Sequence, residues 1–174
     1  MKKIVVNDTN VFIDLYEVGL LEHFFSLPWE VHTTDFVMLE LQKEGQHETV
    51  ARYKTDKRLV VPVFEAKEML EIGNLFQQSL NKTNLSLTDC SVWYYAKVNN
   101  YILLTGDRKL RTTSAYDGVE VHGVIYVFDR LVEFNVISCQ VAAEKLQQLY
   151  SINSRLPKEE IEKRINLWKA EMMK

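Results

Sequence analysis

Ile4-Val5-Val6-Asn7-Asp8-Thr9-Asn10 is an apolar run of strand length that closes on an acid and opens into a helix. The same device returns in Ile102-Leu103-Leu104-Thr105-Gly106-Asp107-Arg108. Short apolar runs followed by helical periodicity are the mark of a parallel sheet with helical crossovers. In such a sheet ligands bind outside the carboxyl ends of the strands. Asp8 and Asp107 are therefore placed where chemistry would be done.

Around these two runs, strands are predicted at Lys3–Val6, Glu30–Thr33, Tyr101–Thr105 and Val119–His122. Val60–Phe64 reads as an edge strand or a connecting segment, because Pro62 has no N–H to give to a ladder. Helices are predicted from about Asn10, over Leu20–Leu27 (ended by Pro28), and over Asp35–Glu44, with Phe36, Val37, Leu39 and Leu41 facing inward. Glu65–Leu80 is amphipathic, with Met69, Ile72, Leu75, Phe76 and Leu80 at helical spacing. Thr88–Val98 comes next and is ended by Asn99-Asn100; Asp107–Tyr116 is closed by Asp117-Gly118. The remainder is helical: Val124–Phe134, Gln140–Tyr150 after a Ser138 cap, and Pro157–Met173 with proline in the first turn. Strands alternating with helices give an α/β fold of three layers, α/β/α, around a central, mainly parallel sheet of four to five strands, with extra C-terminal helices. Residues 1–150 are expected to form the main domain. Ser151–Pro157 is the plausible hinge, and residues 151–174 a helical extension.

The 174 residues suffice for one domain, which at this size buries roughly 70% of its unfolded surface and needs no disulfide or structural metal. Cys90 and Cys139 are far apart, both in predicted helices, and read as reduced, buried thiols of a cytoplasmic protein. His23, His32, His47 and His122 are scattered, without zinc-ligand spacing, and read as surface or packing residues. The basic N-terminus leads into a run too short for a signal-peptide core, and no segment is long enough to span a membrane. A net charge of -3 argues against a surface coated for DNA. Local basic clusters remain: Arg52, Lys54, Lys57 and Arg58 read as a solvated face, whereas Arg108, Lys109 and Arg111 adjoin Asp107 and are candidates for phosphate contacts.

The acids carry the chemistry. Asp8 doubles as a helix N-cap, a role worth about 1 kcal/mol, and capping and metal binding both use an outward carboxylate. Glu40 is placed near the start of the helix after the second strand and faces either a cleft or solvent; Asp35, closer to the strand, is assigned to capping. Asp89 is a first-turn acid behind a Ser86 or Thr88 cap, where the helix dipole favours it. Asp107 is the strongest of the set, since Thr105-Gly106-Asp107 brings a hydroxyl, a permissive residue and a carboxylate to one strand end. Asp14, Asp117 and Asp129 fit helix surfaces or turns. Asp8, Glu40, Asp89 and Asp107 together would repel one another unless a cation intervened. Oxygen-only clusters suit Mg²⁺ or Mn²⁺, so divalent-metal phosphodiester hydrolysis is the leading expectation.

With these residues in place, the chain resembles PIN-domain ribonucleases, the family that includes the VapC-like toxins of bacterial toxin–antitoxin pairs. The matching segments are Val5-Val6-Asn7-Asp8-Thr9-Asn10-Val11, Val37-Met38-Leu39-Glu40-Leu41, Leu87-Thr88-Asp89 with Ala96, and Leu103-Leu104-Thr105-Gly106-Asp107-Arg108-Lys109-Leu110. The strand in Gly118–Gly123 also has the expected place. Likeness runs from Ile4 to about Gly123 and more loosely to Tyr150; Gln42–Asn84 carries no assignable motif.

The resemblance implies a metal-dependent endoribonuclease in which Asp8, Glu40, Asp89 and Asp107 hold one or two Mg²⁺ or Mn²⁺ ions. In-line attack would leave a 5′-phosphate and a 3′-hydroxyl. Asn10 and Thr105 would orient substrate or water, and Arg108 would contact the RNA backbone. For the toxin branch it implies an antitoxin peptide over the active-site groove and a homodimer, with no membrane partner. Among Tyr126, Phe128, Phe134 and Trp168, only Trp168 is expected to be exposed for such contacts. Two rivals stand beside this reading. A catalytically silent PIN-fold interaction module would keep the fold without activity. A haloacid-dehalogenase-type phosphomonoesterase would need a second acid two positions after Asp8, where Asn10 stands.

Overall fold

The N-terminal apolar run becomes β1 (Lys3–Asn7), the middle strand of a five-stranded sheet in the computed structural model, which describes residues 3–43 and 45–171. Val5, Val6 and Asn7 are fully buried, as expected of a strand covered on both faces. β2 (Trp29–His32), β3 (Leu59–Val60), β4 (Ile102–Leu104) and β5 (Val121–His122) complete the order β3-β2-β1-β4-β5, and every pairing is parallel. The expected three-layer α/β/α class is the one observed. β3 is indeed an edge strand; it stops short of Pro62.

The described chain divides into two compact units, one running through Ile13 and resuming over Pro28–His122, the other comprising Asp14–Leu27 and the residues from Gly123 onward. The first holds the sheet. Its helices are the start of α1 (Thr9–Glu17), α3 (Asp35–Glu40), α4 (Gln46–Thr55), α5 (Ala66–Leu80), α6 (Leu87–Asn99) and α7 (Arg108–Tyr116). Right-handed crossovers assign α3 and α4 to one face of the sheet and α5 to α7 to the other. α6 packs on β1 and β4, and its residues from Cys90 to Ala96 are buried. It ends at Asn100 in the left-handed conformation, φ 55°, which asparagine tolerates better than most residues.

Several expectations need correction here. α3 ends at Glu40 rather than Glu44, and Glu44 lies outside the described residues. Leu39 points outward at 72% exposure, while Leu41, the C-cap, is buried. Thr34, not Asp35, caps α3; the Asp35 carboxylate accepts only from the neighbouring Phe36 N–H. α4 has no counterpart among the helices predicted from sequence. In α5 only Ile72 of the apolar stripe is fully buried, and Met69 and Leu80 are exposed. The cluster at 52–58 is the solvated face expected, with Arg52, Lys54 and Lys57 exposed, and Arg52 and Arg58 in addition lie over the Tyr53 ring at 5.7 and 5.2 Å.

The second unit contains α2 (Leu21–Phe25), α8 (Val124–Glu133), α9 (Cys139–Ile152) and α10 (Lys158–Glu171), with α10 packed along α9. The predicted last helix reached Met173, and residues 172–174 lie outside the described range. Trp168 is buried, not exposed: it stacks on Phe128, ring centroids 6.5 Å apart. Arg164 braces the same region, donating from Nε to both Asp129 oxygens at 3.0 and 3.1 Å. Asp14 is no surface acid; it is 7% exposed and accepts from Asn153 Nδ2 at 3.1 Å. Burial raises its pKa to about 6 against that hydrogen bond. Cys90 is buried as expected, whereas Cys139 is only partly covered. Among the described residues no helix is long and apolar enough to cross a membrane.

Candidate active site

The parallel register pairs Val5 with Ile102, Val6 with Leu103 and Asn7 with Leu104, so β1 and β4 end side by side. The Asp8 N–H extends that ladder to the Leu104 carbonyl at 3.0 Å. The residues just past the two strand ends are therefore brought into contact across almost a hundred residues of sequence. Thr105 Oγ1 donates to Asp8 Oδ2 at 2.7 Å. Asn10 Nδ2 donates to the same oxygen at 2.8 Å, and the Thr9 N–H to Oδ1 at 2.8 Å.

Asn10 and Thr105 are themselves held. Asn10 Oδ1 accepts from the Gly106 N–H at 2.6 Å, and Thr105 Oγ1 accepts from the Asp107 N–H at 3.0 Å. A Cβ at position 106 would sit 3.1 Å from Asn10 Oδ1, so glycine keeps this approach open. Arg111 donates from Nη2 to the Thr105 carbonyl at 3.1 Å. Its guanidinium thus ties α7 to the strand end.

The other three acids come from different elements. Glu40 sits at the C-terminal end of α3, not near its start as predicted, and Oε2 accepts from Thr9 Oγ1 at 2.7 Å. A carboxylate there gains nothing from the helix dipole, and the Thr9 hydroxyl supplies its fixed partner. Asp89 forms a capping box with Ser86: Oδ2 accepts from the Ser86 N–H at 2.8 Å while Ser86 Oγ accepts from the Asp89 N–H at 3.0 Å. Asp107 caps α7, its Oδ1 accepting from the Leu110 N–H at 2.8 Å. The Thr34–Ser91 hydroxyl pair, at 2.8 Å and buried, fastens the start of α3 to α6. Of these supports, the Ser86-x-x-Asp89 box has a sequence signature. Thr9 and Ser91 have none.

Two of the four acids feel the charges of the others. Burial pushes the Asp8 carboxyl up to about 7; the Thr105 hydroxyl opposes this, and the charges of Asp89 and Glu40 add to it. Asp89 is raised as well, by burial first, against its Ser86 bonds, and then by Asp107 and Glu40. As placed, each carboxylate is engaged by a hydroxyl, an amide or a helix cap. Among the described residues no three acidic, histidine or cysteine side chains gather closely enough to cage a metal ion.

A search of curated proteins finds no significant match. Among solved structures, two similar ones match at low identity. VapBC2 from Rickettsia felis, crystallised with a DNA fragment from its promoter, is 17% identical over 69% of this chain and 98% of that one, with a TM-score of 0.47. PAE2754 from Pyrobaculum aerophilum is 14% identical over 76% of this chain and 99% of that one, with a TM-score of 0.52. A family profile described as PIN domain matches residues 4–170, nearly the whole described chain. The chain belongs to the PIN-domain family.

Proposed function

We propose that this PIN domain is a divalent-metal-dependent endoribonuclease that hydrolyses RNA phosphodiester bonds. The observation that supports it best is the register of β1 against β4, which sets Asp8 against Thr105 and Asn10 and brings the Asp107 backbone to the same strand ends. The donor set is oxygen only, which fits Mg²⁺ or Mn²⁺, and Asp8, Glu40, Asp89 and Asp107 would hold such an ion by turning in from the hydrogen bonds that engage them here. When bound it supplies a water of lowered pKa and positive charge toward the scissile phosphate.

The protein's own groups account for the rest. Asn10 and Thr105 fix the rotamer of Asp8, and Gly106 lets Asn10 approach without a clash. Arg108, in the first turn of α7, stands beside Asp107 with its side chain exposed, suited to a backbone phosphate. In keeping with the toxin branch that the motifs resemble, we place an antitoxin chain and a second copy of this chain among its partners, and the cytoplasm as its compartment.

A second reading has an observation of its own. All four acids carry structural bonds, two of them as helix caps, as they would in a catalytically silent module that keeps them for stability. Cleavage of a mixed RNA pool with Mn²⁺, against EDTA and the Asp107→Asn variant, separates the two. Metal-dependent cleavage lost in the variant supports the enzyme; a folded protein that cleaves nothing under any of these conditions supports the module.

A further inference from the structure

Beside the carboxylates lies a cleft of about 480 Å³, walled by residues 80–84 and by the outer side of α7. Lys82, Arg108 and Lys109 line it together with Asn84, Thr112 and Thr113, and no acid is among its lining residues. No ion pair among the described residues engages any of the three cations. Three uncompensated positive charges on one concave surface contrast with a chain whose net charge is -3. Such a patch attracts polyanions.

The wall is preformed. The N–H groups of Lys82, Thr83 and Asn84 all converge on the Ser79 carbonyl, at 3.0, 2.9 and 2.8 Å, and Asn84 takes a left-handed turn with φ 52°. Both walls also lead directly to the acids. The 80–84 loop runs into the Ser86–Asp89 capping box, and Arg108 comes directly after Asp107 at the start of α7. A strand lying in the cleft thus runs along two segments that adjoin Asp89 and Asp107 in the chain.

We propose that this cleft docks single-stranded RNA, with backbone phosphates against Lys82, Arg108 and Lys109, and so holds the strand flanking the bond to be cut; this rests on the ribonuclease reading above. The lining has no aromatic ring on which bases would stack, so the cleft tracks the backbone rather than reading sequence. The amide of Asn84 and the hydroxyls of Thr112 and Thr113 offer partners for ribose 2′-hydroxyls.

The test measures binding apart from cleavage. Anisotropy of a labelled oligouridylate is recorded in EDTA across a salt series, for the wild type, for Lys82→Gln/Lys109→Gln, and for Lys54→Gln/Lys67→Gln as an exposed pair outside the cleft. Two phosphate contacts at about 0.7 each lower the slope of log affinity against log salt by about 1.4, or roughly 25-fold at 0.1 M salt. The control pair should leave both values near wild type. No binding by the wild type, no change in the cleft variant, or equal losses in both variants would overturn the proposal. Wild-type protein that binds in EDTA, depends on the cleft lysines, yet cleaves nothing with Mn²⁺ would refute the ribonuclease reading and leave the docking site standing.

Discussion

Asp8→Asn should make the metal-free protein more stable at pH 8, although it removes the central acid of the site. Asp8 is 2% exposed and its pKa rises from 3.8 to about 7 on folding. A raised carboxyl favours the fold while it can stay protonated. Its contribution is intact at pH below about 4 and is lost as pH rises through about 7. At about 1.4 kcal/mol per unit, the ionised form burdens the folded state by about 4 kcal/mol at pH well above 7. The amide substitute carries no charge and can keep the Thr9 bond, with Thr105 turned to accept. It leaves the Asn10 amide facing another donor, a loss of about 1–2 kcal/mol. The net gain is about 2–3 kcal/mol at pH 8, which at about 2–4 °C per kcal/mol shifts Tm by roughly 5–10 °C. Thermal melts in EDTA at pH 5 and pH 8 are the assay. The wild type should lose Tm between the two pH values by several degrees more than the variant. A variant less stable than wild type at pH 8 in EDTA would refute the reasoning, because it would mean that the ionised carboxylate is well compensated where it lies. Mn²⁺ at about a hundred times its Kd should then return about 2.7 kcal/mol to the wild type and little to the variant.

Asp107→Asn should abolish cleavage yet change stability by no more than about 0.5 kcal/mol, since asparagine caps helices as well as aspartate does; urea melts alongside the RNA assay check both halves. Gly106→Ala pushes a methyl to 3.1 Å from Asn10 Oδ1 and should lower cleavage about tenfold or more by disturbing the support of Asp8, with circular dichroism still that of the folded protein. Asp14→Asn should raise stability at pH 8 but not at pH 4, because this carboxyl, too, is raised, to about 6, and its favourable contribution is lost as pH climbs from about 4 to that value; paired melts at the two pH values decide it.

The sheet was legible because both central strands are uninterrupted apolar runs ending in turn residues, and buried parallel strands leave few other patterns available. α4 was missed because its buried positions are few, Gln46, Val50 and Tyr53, in an otherwise charged stretch. Its start has no side-chain cap at Gly45; only Glu48 reaches back, to the Gly45 N–H at 2.6 Å. Leu39 and Trp168 were misread for opposite reasons. Within α3 the buried face is the one that Val37, Met38 and Leu41 share, which turns Leu39 to solvent, and the partner that covers Trp168 is Phe128, forty residues earlier, which periodicity cannot reveal. Asp14 looked like a surface acid since its Asn153 partner lies far along the chain. The four acids could be nominated from strand ends and helix starts. Which hydroxyl or amide steadies each one depended on the register of β1 against β4 and could be read only in three dimensions.

The caps formed by Asp89 and Asp107 bear on how such a protein would decay over generations. A single base transition turns an aspartate codon into an asparagine codon, and asparagine still ties off the start of a helix. A lineage released from the need to cut nucleic acid could thus lose its acids one transition at a time while its helices stay tied off. Alanine at the same positions would leave the helices frayed and be purged for that reason alone. Inactive descendants of this chain should therefore carry amides or hydroxyls where the acids stood, which leaves a record of past chemistry in a fold that no longer performs it.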